Sequence, residues 1–89
     1  MTQLVTPVIN RNGTDATILI NQYREVNEKL CDVLEAMREA IPHGRDYPKM
    51  TIVPARDAMH ERYQIISNMV DEFWALIMEI DQQQRDHAA

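Results

Sequence analysis

From Leu19 to Ala40 the chain returns to an apolar residue at alternating steps of four and three: Leu19, Tyr23, Val26, Leu30, Val33, Met37, Ala40. Residues three and four apart lie above one another on an α-helix but scatter over both faces of a strand, so this seam predicts one long helix. Ile20, Leu34 and Ile41 lie beside the seam and widen it to the face of a bundle helix; only Asn27 interrupts that flanking column. Pro42 has no amide to donate and disfavours helical geometry at the residue before it, which ends the helix at Ile41. A second seam, Met59, Arg62, Ile66, Met69, Phe73, Leu76 and Ile80, repeats the pattern, with Tyr63, Val70 and Ile77 beside it. Pro54 suits the first turn of that second helix, where a missing amide costs nothing.

The predicted organisation is an N-terminal arm over 1–13, a helix over about 14–41, a connection over 42–53 and a second helix over about 54–84 within a hairpin domain of 14–89. Thr14 is the expected cap of the first helix, with Asp15 favourably placed at the positive end of its dipole. Pro7 and the Asn12-Gly13 turn signal separate the β-leaning Leu4, Val5, Val8 and Ile9 from the helix. A single short strand cannot stand alone, so the expectation is an arm lying on the helices of its own or a neighbouring subunit, with a frayed end as the alternative. Two glycines and five aromatic residues are too few for a sandwich or barrel. The fold class is therefore all-α, a long antiparallel two-helix hairpin. Ile65, Trp74 and Met78 lie off the second seam, and their apolar surface points to pairing into a homodimeric four-helix bundle, the alternative being a single hairpin completed by the N-terminal arm or by a foreign partner.

Charge and residue types narrow the chemistry. Nine basic against fourteen acidic residues give a net charge of −5, which argues against nucleic-acid binding. No apolar run approaches membrane-spanning length, and no signal-peptide pattern opens the chain, so the expected compartment is the cytoplasm. The single cysteine, Cys31, cannot form an internal disulfide, and its acidic neighbours Glu28, Asp32 and Glu35 hinder the thiolate. No Glu-x-x-His pair exists for a bundle metal site, and the lone Ser67 has no nucleophile-elbow context. No catalytic residue, metal ligand or cofactor is expected, and the chain reads as a non-enzyme. Arg62 on the second seam must either pair across the hairpin or reach out to water.

Two candidate surfaces follow. Glu25, Glu28, Asp32, Glu35 and Glu39 form an acidic stripe opposite the first seam, and Trp74 with Met78, four residues apart, offers an apolar anchor; together they suit a protein partner. The basic character sits elsewhere. Residues 1–13 and 42–53 each carry +1, against −3 for 14–41 and −4 for 54–89. The alternative site is therefore a nucleotide or phosphate held by Arg11, His43, Arg45, Tyr47 and Lys49, with Arg45 forking onto phosphate and Tyr47 stacking. In an antiparallel dimer the arm of one chain approaches the connection of the other. The bland reading of that connection has Gly44 making the turn, Asp46 capping or pairing with Arg45, and Tyr47 packing over the end of the hairpin.

Asn12-Gly13-Thr14 before a helix, Gln22-Tyr23 inside it, and Pro42-His43-Gly44-Arg45-Asp46-Tyr47 after it resemble a group of small helical proteins of tailed phages and prophages. The likeness covers roughly residues 12–80, and the Gly-Arg-Asp-Tyr turn is its most distinctive part. It implies a bacterial host cytoplasm during infection or lysogeny. The function expected there is binding and modulating or inhibiting a protein, host or phage, such as a host defence or regulatory factor. A virion structural or assembly component is a further alternative.

Overall fold

The computed structural model describes residues 2–10 and 13–88. Two helices, α1 (Ala16–Glu39) and α2 (Lys49–Ala88), pack against each other, and no strand occurs among the described residues. The 40 residues of α2 rise about 60 Å at 1.5 Å each, and the molecule measures 60 × 21 × 20 Å. The hairpin is therefore one long rod with a shorter one along it.

Helix α1 starts one residue later than Thr14 allows. Asp15 is its cap, with a carboxylate oxygen accepting from the Thr17 amide at 3.1 Å and its carbonyl accepting from the Leu19 amide at 3.0 Å. Aspartate caps at least as well as threonine and adds a charge at the positive dipole end. The helix ends at Glu39, two residues short of the expected Ile41. The Ala40 amide is shared between the carbonyls of Ala36 and Met37, tightening the last turn before the proline.

Helix α2 begins at Lys49, five residues before Pro54. The Pro48 carbonyl accepts from the amides of Thr51 (2.9 Å) and Ile52 (3.1 Å) and from the Thr51 hydroxyl (3.1 Å), which launches the helix. Pro54 thus lies inside α2. Its missing amide deprives the Met50 carbonyl of a donor, but this is the exposed first part of the helix, with Met50 at 87% exposure, and water can replace it. The connection shrinks accordingly, and Lys49 belongs to the helix. Within it, the Asp46 amide bonds the His43 carbonyl at 2.9 Å, and Arg56 Nε donates to the carbonyl of buried Pro42 at 3.2 Å. Gly44 has no positive φ and open space where a Cβ would stand, so the turn does not need a glycine there.

The core lies where α1 begins and α2 ends: Ala16, Ile20, Leu76, Ile77 and Ile80, with Ile9, Leu19, Tyr23 and Phe73 packed against them. The Tyr23 and Phe73 rings stand 6.0 Å apart. Residues 2–10 run along α2 of their own chain at this end. Gln83 clamps them, accepting from the Ile9 amide and donating to the Pro7 carbonyl, both at 2.9 Å, and the Thr6 hydroxyl donates to Glu79. The expected fraying of Gln82-Gln83-Gln84 is overturned: α2 continues to Ala88, and Gln84 also reaches the Thr17 hydroxyl at 3.5 Å.

The contact face of α1 is turned one column from the predicted seam. Ala16, Ile20 and Asn27 are buried, whereas Val26 and Val33 are 38% and 44% exposed. Centring on Ile20 and Asn27 brings Ile20 into the cluster with Ile77 and Ile80 and lets Asn27 Nδ2 donate to the Val70 carbonyl at 3.3 Å. A two-helix contact covers only a narrow strip of each helix, so the neighbouring column is left out. Arg62 is likewise outside the contact, exposed and donating to the Ala58 carbonyl at 2.9 Å. Nearer the connection, Arg38 donates to the Tyr63 hydroxyl at 2.8 and 3.0 Å and ties the helices together.

Candidate interaction surface

Asn27 and Val70 face each other across the hairpin and serve as a reference for both helices. At 100° per residue, Trp74 and Met78 lie about 40° and 80° round α2 from Val70 in one sense. They are 47% and 68% exposed. Trp74 overhangs an open groove of about 560 Å³ whose other wall, on α1, includes Asn27, Glu28, Cys31 and Asp32. The structure therefore brings Trp74 to two members of the acidic stripe. Glu25, Glu35 and Glu39 are exposed but stand away from this groove, as does Met78. The groove also holds Arg24 and Lys29, so its rim carries both signs.

Asn27 is the residue that pattern reading undervalued. It is 4% exposed, and its Oδ1 has no hydrogen-bond partner, which is costly in a low-dielectric interior. Its position in the apolar column was the available signal. Gln83 was legible in the same way, since it lies seven residues after Leu76 and three after Ile80, on the continuation of the second seam.

The alternative phosphate site fares differently. His43, Arg45, Tyr47 and Lys49 are all exposed at the connection end, with the Arg45 amide donating to His43 Nδ1 at 3.2 Å. Arg11 lies outside the described residues. Its neighbours Asn10 and Gly13, bonded through the Gly13 amide and Asn10 carbonyl at 3.3 Å, precede α1, whereas the connection follows it. The 24 residues of α1 separate these ends by roughly 36 Å. Within one chain the arm and the connection do not converge.

Among the described residues, no group of three or more His, Cys, Asp or Glu could hold a metal ion, and no helix is long and apolar enough to cross a membrane. No protein-family model matches the chain, and no curated protein or solved structure matches it.

Proposed function

We propose that this chain is a non-enzymatic interaction protein of the phage type, which pairs with a second copy into a four-helix bundle and binds a further protein to modulate or inhibit it. The bacterial cytoplasm is its place of action, and a host defence or regulatory factor is the kind of target. The observation that carries the reading is Trp74, 47% exposed beside Glu28 and Asp32, with Met78 one helical turn further along α2 at 68%. A large half-exposed aromatic next to carboxylates suits an interface centre, where aromatic anchors supply affinity and flanking charges steer encounter. Among the described residues thirteen large apolar side chains stand exposed, and interfaces of this kind give such surface a use.

The test is capture from bacterial lysate with the purified 89-residue chain, alongside Trp74→Ala and Glu28→Lys. The expected result is a stoichiometric protein retained by the native chain, lost with Trp74→Ala and weakened by Glu28→Lys in a salt-dependent manner. Both variants alter exposed positions and keep the native helicity. No retained protein, or equal retention by all three chains, overturns the reading.

A further inference from the structure

On the side of the hairpin opposite Trp74, a second apolar strip runs toward the connection. Val26 and Val33 lie about 100° and 120° from Asn27 in the other sense of rotation, and Ile65 lies about 140° from Val70 in that same sense. In an antiparallel pair, equal rotations arrive on one side. Val26, Val33 and Ile65 are 38%, 44% and 49% exposed. Val26, Leu30 and Val33 line a groove of about 370 Å³ on α1. The arm covers this side only beyond Val70, where Leu4 and Thr6 lie against Glu72, Leu76 and Glu79. From Ile65 toward the connection, the strip is bare.

We infer that this strip, Val26, Val33 and Ile65, is the face on which a second copy of the chain packs, in the arm-free halves of the two hairpins. The inference rests on the self-association part of the reading above and adds the face. The area supports it. The chain exposes 7119 Å², against roughly 5,400 Å² for a compact monomer of this mass. The surplus of about 1,700 Å² exceeds the ~800 Å² that each partner contributes to a standard interface. One such interface can form and still leave the Trp74 side open. The flanking charges fit a copy of the same chain as well. Glu25 and Lys29 border the α1 groove, and Glu61 and Arg62 border Ile65, so each side carries both signs. A two-fold interface must be self-complementary, and this mixture of signs meets that requirement. Because the arm occupies the rest of this side, the copies overlap by their connection halves, and the arm-covered ends point outward.

Light scattering on the eluting 89-residue chain tests this, in reducing buffer so that exposed Cys31 cannot link copies. The native chain is expected at twice 10.4 kDa. Val33→Asp and Ile65→Asp are expected to return it to the single-chain mass with native helicity, and Met78→Asp to leave the doubled mass. Should the charged variants unfold, Val33→Ser with Ile65→Ser raises the dimer dissociation constant by at least about tenfold in a dilution series. A native chain at single mass at every concentration overturns self-association altogether. A doubled mass that survives the Val33 and Ile65 changes but is lost with Met78→Asp leaves pairing intact and overturns this face. A pair that forms only with another protein, with the native chain alone at single mass, assigns the strip to that protein and equally overturns the inference.

Discussion

The two ends of the rod are built from the same kind of sequence and reach different degrees of burial. At the end where α1 starts and α2 finishes, Ile77 and Ile80 are 3% and 0% exposed, because three elements meet there: both helices and the arm. Toward the connection, Leu30, Leu34, Met37, Met59, Tyr63, Ile66 and Met69 are all only half-buried, and from residue 30 to 69 the sole buried residue is Pro42. Two cylinders touch along a line and shield one strip of each. A third element is what turns that strip into a core. The nine described residues of the arm, held by Gln83, supply it at one end, and no described residue supplies it at the other.

The largest expected effect breaks or confirms this contrast directly. Ile80→Ala is expected to cost about 2–5 kcal/mol, the range for emptying a fully buried isoleucine site, whereas Leu34→Ala in dilute protein costs about 1 kcal/mol. Thermal melts read both, at several degrees per kcal/mol for a chain of this size. Equal losses at the two sites would mean that the ends are equally well packed. A smaller effect sharpens the role of the arm. Gln83→Ala removes the acceptor of the Ile9 amide and the donor to the Pro7 carbonyl, at about 1–2 kcal/mol. Hydrogen exchange should show the Ile9 amide deprotected while amides around Asn27 and Val70 keep their protection; unchanged exchange at Ile9 would show that the clamp is not what holds the arm. The smallest effect lies at the connection. Gly44→Ala meets open space and an ordinary φ, so stability should hold or rise by about 0.5 kcal/mol through the unfolded state. A loss beyond about 1 kcal/mol in the same melts would reveal packing at Gly44 that the turn does not display.

The exposed apolar side chains of the second helix also differ in where they point. Ile65 and the Trp74–Met78 pair appear in the sequence as a single surplus of apolar surface on the second helix. Referred to Asn27 and Val70, they fall on opposite sides of the hairpin. One side is continued by Val26 and Val33 and stops where the arm begins; the other faces Glu28 and Asp32 across an open groove. The two proposals divide along the same line, self-pairing on one side and target binding on the other. Chains with Val33→Asp and with Trp74→Ala separate the two roles.

The residues alone determined that the chain makes two long helices broken near Pro42 and packed on one another, and that the acids of α1 stay in water. Those features follow from local periodicity and proline chemistry, which act within a few residues. The centre of the α1 contact, the early start of α2 and the clamp by Gln83 were decided only by tertiary structure. An amphipathic face about three columns wide does not specify which column meets the partner helix. That choice was made by the seating of Ile20 against Ile77 and Ile80 and by the bond from Asn27 to Val70, both contacts between segments far apart in the chain. Pro54 shows the same limit, because a proline compatible with a helix start is also tolerated one turn further in, where water can reach the carbonyl it leaves unpaired.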